Sequence, residues 1–242
     1  MKIIKAGSYD EMSAIAAGLV SKQIKCSPNS VLGLATGSTP IGMYKNLVEE
    51  NKKGEIDFSN VKTINLDEYV GISPTHESSY TYFMKHYLFD HVNIDQSNCF
   101  LPNSSAKNHD EECKRYDNLI DQLGSIDLQI LGIGNNGHIG FNEPMDSFAK
   151  KTHVIKLTKG TIKTNSRLFE NPSDIPTKAI TMGIQSIMMA KKIILLANGM
   201  VKSDIMYKSL FGPITPLVPA SVLQLHQNLT VVGDSQALSL FD

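Results

Sequence analysis

The sequence predicts an α/β fold: a doubly wound, mostly parallel sheet arranged as a Rossmann-like three-layer sandwich. Three observations predict it. Apolar runs and amphipathic helical patterns alternate along the whole chain. The runs at 31–35, 126–133 and 191–197 are nearly continuous rather than alternating, as strands covered on both faces are. Glycine-, hydroxyl- or amide-rich segments follow them, the composition of the loops where open α/β sheets hold ligands. With 242 residues, 41% hydrophobic and 19% charged, one domain spanning 1–242 with an ample core is expected.

Residues 2–6 read as the first strand. Ser8 and Glu11 stand at capping-box spacing, where each satisfies a backbone N–H left free at a helix start. Met12, Ile15, Ala16, Leu19, Val20 and Ile24 follow at helical spacing, and Pro28-Asn29 ends the helix. After the strand at 31–35 comes Thr36-Gly37-Ser38-Thr39-Pro40, then a helical pattern over 41–51. Pro40 suits the first turn, and Ser38 or Thr39 suits the cap. Such a turn can hold a phosphate, because the first helical N–H groups lack partners and the helix dipole favours an anion. It is not a Walker A loop, and a plain capped turn is the alternative reading. Residues 61–66 form the next strand, ending at Asp67-Glu68-Tyr69-Val70-Gly71. Side chains alternate along a strand, so one of the paired acids faces a cleft and the other faces packing. The alternative is two solvated loop acids. Helices are expected from Glu77 to about Phe89 and over 110–123.

The strand at 126–133 feeds the stretch on which the chain is organised, Gly132-Ile133-Gly134-Asn135-Asn136-Gly137-His138-Ile139-Gly140-Phe141-Asn142-Glu143-Pro144. Four glycines loosen the backbone around an imidazole, amides and a carboxylate. Residues 153–157 and 179–182 read as strands. The polar segment 158–176, which holds Arg167, is a candidate lid. A helix over 184–190, a strand over 191–197, a helix opened by Asn198-Gly199-Met200 with Lys202 in its first turn, a short helix over 219–225 and a strand over 229–232 complete the chain.

Several functions are excluded. Net charge is −1 with no basic block, so nucleic acid is not an expected partner. Cys26, Cys99 and Cys113 are scattered, which argues against a disulfide framework and a zinc site. Residues 1–10 carry no signal-peptide pattern and no apolar run matches a membrane span, so no membrane partner and a cytoplasmic location are expected. Gly132, Gly134 and Gly137 match the dinucleotide fingerprint in letters, but Pro144 blocks the long helix the fingerprint must open, and the acid expected about 20 residues on is missing. There is no nucleophile elbow, and His76-Glu77 lacks a second zinc-ligating histidine. What remains is an anion cradle at Gly37, Ser38 and Thr39, a carboxylate at Asp67, His138 with Asn136 and Glu143, and the cations Arg167 and Lys202. That set suits acid–base chemistry on a small phosphorylated molecule.

The segments 34–40, 65–71 and 132–144 closely resemble the glucosamine-6-phosphate deaminase family. Asn165-Ser166-Arg167, Thr181-Met182-Gly183-Ile184 and Leu223-Gln224-Leu225-His226 also fit, in the same order along nearly the whole chain. Asp-Glu-Tyr-Val-Gly combined with Gly-His-Ile-Gly-Phe-Asn-Glu-Pro is the specific signature. The related 6-phosphogluconolactonases share the fold and the Gly-His but typically lack both the Phe-Asn-Glu-Pro ending and the Asp-Glu-Tyr-Val-Gly box. The resemblance implies conversion of glucosamine 6-phosphate and water to fructose 6-phosphate and ammonia, a step of amino sugar catabolism, with no metal and no other cofactor. It implies that His138 moves the proton that opens the sugar ring. Asp67 then takes the C2 proton and returns it at C1, and Glu143 and Asn136 orient His138. Gly37, Ser38, Thr39, Arg167 and Lys202 match phosphate-binding positions. Glu68 is left without a role. Asn136 stands where larger members carry aspartate. Their Arg-x-Lys effector pair is replaced by His153-Val154-Ile155, so a monomer or weak homo-oligomer without allosteric control is expected. A galactosamine-6-phosphate isomerase/deaminase, a 6-phosphogluconolactonase and a non-catalytic sugar-phosphate sensor are the alternatives.

Overall fold

The structure, a computed structural model, describes residues 1–166, 169, 171 and 174–241. In chain order its first half runs β1 (Lys2–Ala6), α1 (Tyr9–Cys26), β2 (Val31–Leu34), α2 (Ile41–Lys52), β3 (Lys62–Asn65), β4 (Asp67–Tyr69), α3 (Tyr80–Tyr87), β5 (Cys99–Phe100) and α4 (His109–Leu123). The second half runs β6 (Leu128–Leu131), β7 (His153–Lys156), α5 (Lys159–Asn165), β8 (Lys178–Thr181), α6 (Ile184–Met188), β9 (Ile193–Ala197), α7 (Ser203–Phe211) and β10 (Leu229–Asp234).

Seven strands form a fully parallel sheet in the order β1-β10-β9-β6-β2-β3-β5, flanked by helices in three layers. Every residue of β2, β6 and β9 is buried, which is why these central strands read as continuous apolar runs. At the edge, β1 exposes Lys2, Ile3 and Lys5. From β2 the chain builds outward through β3 and β5. It then returns to the other side of β2 as β6 and builds through β9 and β10. The strand order therefore reverses between β2 and β6. In such sheets the crevice outside the carboxyl ends at that reversal is where ligands bind.

A second, antiparallel sheet, β4-β8-β7, was not foreseen in the sequence. Leu66 is the hinge between the two. Its N–H donates to Leu34 O at 3.3 Å, continuing the main sheet, while its C=O accepts the Met182 N–H at 2.7 Å. The chain thus leaves the main sheet within one residue, and the adjacent acids become strand residues, with Asp67 opposite Thr181. Both are buried, not solvated loop acids. Tyr69, Phe141, Ile155, Leu157, Phe169 and Ala179 form a separate apolar cluster against this small sheet.

Local details refine the expected caps. Ser8 Oγ accepts the Glu11 N–H at 3.1 Å, but the Glu11 carboxylate reaches back to the Gly7 N–H at 2.6 Å rather than to Ser8. Neither Ser38 nor Thr39 caps α2. Pro40 itself holds the N-cap place, its C=O accepting the Tyr44 N–H at 3.0 Å. The Tyr9 hydroxyl ties the turn together, donating to Ser38 O at 3.1 Å and accepting the Gly42 N–H at 2.9 Å. The segment 158–176, read as a polar lid, opens with α5, which Thr158 caps through the Thr161 N–H. Residues 219–225 form a 3-10 helix. No helix among the described residues is long and apolar enough to cross a membrane.

The reversal point has a steric requirement. Gly33 of β2 pairs with Gln129 of β6. A Cβ at Gly33 would lie 2.1 Å from Gln129 Oε1, and the Gln129 amide is tied to Ile130 O at 2.8 Å. Gly33→Ala is expected to destabilise the fold by about 1–3 kcal/mol. In urea unfolding, Gly33→Ala with Gln129→Ala should lose less than the sum of the two single losses. Strict additivity would show that the two residues do not compete for this space.

Candidate active site

Three loops meet at the carboxyl ends of neighbouring strands: 35–40 after β2, 132–144 after β6 and 198–202 after β9. The β6 loop folds on itself. Gly134 N–H donates to His138 O at 2.9 Å, and Gly137 N–H donates to Gly134 O at 3.0 Å. Two of its glycines make room for side chains of the site. A Cβ at Gly134 would lie 2.3 Å from the His138 ring. One at Gly140, where φ is +57°, would lie 3.2 Å from Asp67 Oδ2 and 2.9 Å from Thr181 Oγ1. The imidazole and the Asp67 carboxylate therefore lean on two glycines of one loop, the one before and the one after His138.

Asp67 is buried. Removal from water is the largest influence on its proton affinity and pushes its pKa well above the usual carboxylate range; the charge of Glu68 adds to this, and the Phe141 N–H opposes it. Thr181 Oγ1 accepts the same Phe141 N–H at 3.0 Å. Glu143 goes the other way. Burial pushes its carboxyl up, but His138, by hydrogen bond and charge, with Thr161 and Asn136, outweighs this and brings it down to about 2. Its Oε2 lies 3.4 Å from His138 Nδ1 and accepts the Asn136 amide at 2.6 Å. Its Oε1 accepts the Thr161 hydroxyl at 2.5 Å and the Thr158 hydroxyl at 3.3 Å.

The contacts of Asn136 run to the backbone of His138 and to Glu143. Its Oδ1 accepts the backbone N–H of His138 at 3.2 Å, and its amide donates to Glu143. It reaches the ring only through Glu143.

On the anion side, Gly37 has φ +98°, and among the described residues no partner takes the N–H groups of Gly37, Ser38 and Thr39. The Thr39 hydroxyl donates to Asn198 Oδ1 at 2.7 Å, joining the β2 and β9 loops. Lys202 Nζ donates to Ile133 O and to Asn135 Oδ1, each at 2.6 Å, joining the β9 and β6 loops. No carboxylate accepts from it among the described residues, and burial lowers its pKa to about 8. Asp234 at the end of β10 fixes the turn that carries Lys202: both its oxygens accept the Gly199 N–H, at 3.0 and 2.9 Å. Arg167 lies outside the described residues. Among those described, no group of three or more His, Cys, Asp or Glu side chains converges as a metal site would.

Comparison with known proteins places this arrangement. Residues 8–232 match the family described as glucosamine-6-phosphate isomerases/6-phosphogluconolactonase. The chain belongs to that family. It is 59% identical, over 96% of its length and 98% of the relative's, to a glucosamine-6-phosphate deaminase of Lachnoclostridium phytofermentans. It is 56% identical, over 99% of its length and 95% of the relative's, to one of a Thermoanaerobacter species. A solved monomeric glucosamine-6-phosphate deaminase superposes with a TM-score of 0.96 at 44% identity, covering 99% of this chain and 100% of that one. A 6-phosphogluconolactonase from Trypanosoma brucei superposes at 0.75 with 17% identity, covering 100% of this chain and 98% of its own, and shares the fold.

Sequence reasoning missed four supporting residues. Thr158 had a readable signal, since a threonine ahead of a helical stretch is an N-cap candidate, but Thr161 did not. Asn198 and Asp234 had none, because each acts on a loop distant in sequence.

The depressed Glu143 pKa makes a stability prediction. A group lowered on folding stabilises the protein fully above its unfolded value of 4.5, and the stabilisation is lost as pH falls toward 2. Wild type should therefore lose about 2 kcal/mol relative to Glu143→Gln between pH 6 and pH 3, measured by urea unfolding at each pH. Parallel pH curves for the two proteins would contradict the arrangement around Glu143.

Proposed function

We propose that this protein is a glucosamine-6-phosphate deaminase that converts glucosamine 6-phosphate and water to fructose 6-phosphate and ammonia. One observation carries the reading. Two acid–base stations, Asp67 and the His138–Glu143 pair, stand against the same glycine loop, beside an anion cradle at the strand-order reversal. The relatives named for this reaction at 59% and 56% identity support it.

The chemistry divides between the stations. The substrate's phosphate rests on the N–H groups of Gly37, Ser38 and Thr39 and on Lys202, with Arg167 as a further phosphate ligand. His138 carries the proton from the anomeric hydroxyl to the ring oxygen, which opens the pyranose to an aldehyde. Glu143, held ionised, orients the imidazole. Asn136 acts through Glu143. Asp67 takes the proton from C2, leaving an enolamine, and returns it at C1. Water then adds at the C2 iminium carbon and ammonia leaves, giving the ketose. A base that must both take and return a proton works best when its affinity for that proton is raised, and burial of Asp67 supports that role. The hydroxyls of Thr158 and Thr161 tie Glu143 to the start of the segment 158–176, which we propose covers the bound sugar. A monomeric enzyme is supported by the monomeric relative. Three free cysteines suit a cytoplasmic one.

An assay of ammonia release from glucosamine 6-phosphate tests this reading. Asp67→Asn should lower kcat by about 10²- to 10⁴-fold with substrate binding retained. Lys202→Met should raise KM at least about tenfold, and in wild type KM should rise as pH passes about 8, where Lys202 gives up its charge. Binding without turnover in wild type would favour a sensor. Turnover of the galacto epimer or of a 6-phosphogluconolactone, with glucosamine 6-phosphate untouched, would mean a different substrate in the same site.

A further inference from the structure

We infer that Glu68 is a positioning residue: a buried carboxylate anchored on the first turn of α3, whose fixed charge governs the pH at which Asp67 carries its proton. The inference rests on the reading of Asp67 as the C2 base.

The geometry begins with the donors. Glu68 is fully buried. Its Oε1 accepts the N–H of Tyr69 and the N–H of Tyr80, both at 2.9 Å. Its Oε2 accepts the Thr81 N–H at 2.8 Å and the Thr81 hydroxyl at 3.0 Å. Two of these N–H groups belong to the first turn of α3, whose dipole also favours a negative charge. Ser79 caps the same turn at the Tyr82 N–H, so Glu68 is a second, buried cap. Four donors on two oxygens leave no good place for a proton, since a protonated Glu68 would set its own O–H against one of them.

Asp67, one residue before it on β4, is far less well supplied. The groups facing it are Glu68 and Tyr69 from its own strand, Tyr80 from α3, Tyr116 from α4, the loop carrying Phe141, His138 and Glu143, and Thr181 from β8. Burial raises the proton affinity of the Tyr80 and Tyr116 phenols, which keeps them neutral. Two buried carboxylates on adjacent residues, each acting on the other by charge, do not ionise independently, and the one with the donors holds the charge. Glu68 therefore ionises first, and its charge makes Asp67 grip its proton more tightly. Burial leaves the proton affinity of Glu68 itself raised, with its four donors opposing that rise, while Asp67, with fewer donors, is raised well above the usual carboxylate range. The sequence shows two adjacent acids. The structure separates their surroundings: Glu68 is held in the interior by four donors, and Asp67, read as the C2 base, is not.

The test pairs a direct titration with kinetics. The side-chain carboxyl carbon of Asp67 is followed by 13C NMR against pH, assigned with Asp67→Asn, in wild type, Glu68→Gln and Thr81→Val. The pH profile of kcat/KM is measured for the same proteins. Removing the Glu68 charge should move the Asp67 midpoint and the acid limb of the profile down by about one unit. Thr81→Val loosens the hold on the Glu68 charge and should move both in the same direction by less. A merely structural role would lower kcat/KM equally at every pH and leave the midpoint in place, and that result overturns the inference. Should Glu68→Gln fail to fold, Thr81→Val decides: a shifted midpoint supports the inference and an unmoved one overturns it. Full activity in Asp67→Asn would instead overturn the assignment of Asp67 as the base, whatever the midpoints in the other two proteins.

Discussion

A single loop of thirteen residues has to bring an imidazole and a backbone within contact of a buried carboxylate, and the site depends on its doing so. At Gly134 the space a Cβ needs is taken by the His138 ring, and at Gly140 it is crowded by Asp67 and Thr181. No side chain substitutes at either place without moving His138, Asp67 or Thr181. The loop holds its shape through its own hydrogen bonds, and it is fastened outward by the Gly137 carbonyl to Ala220 at 2.8 Å and by Asn142 to Met182 at 2.9 Å. The 3-10 turn and β8 region that provide those fastenings lie far away in sequence.

Electrostatics then distinguishes three charged groups of the cleft. Burial acts on Asp67, Glu143 and Lys202 alike, yet the outcomes differ with the partners each finds. Asp67 is raised, Glu143 is held down near 2 by His138, Thr161 and Asn136, and Lys202, which donates to a carbonyl and an amide oxygen, falls to about 8. Two carboxylates pushed in opposite directions are the usual mark of divided acid–base labour. Among the described residues no carboxylate accepts from this half-buried ammonium, which is what the proposed phosphate contact requires.

Much of this was legible in the sequence. Central strands read as unbroken apolar runs because they are covered on both faces, and the glycines around His138 announced close backbone approach. Asp67, His138, Glu143, Gly37 and Lys202 fall at the strand ends where the reading put them. The second sheet was not legible, because a strand that changes sheet at Leu66 looks from its residues like one strand followed by a loop. The capping of α2 was misread for a similar reason: the Tyr9 hydroxyl that meets Gly42 comes from α1, and local pattern carries no sign of it. Glu68 escaped a role because its partners, Tyr80 and Thr81, lie on the next helix.

The central claim is that Asp67 moves one proton between two neighbouring carbons while nitrogen leaves. The most direct test is to run the reaction of glucosamine 6-phosphate in D2O and follow both products by NMR. The account predicts fructose 6-phosphate and ammonium in equal amounts, with no more than one deuterium at C1 and that one on a single face. Deuterium on both C1 positions, ammonium without the ketose, or no turnover at all would contradict it.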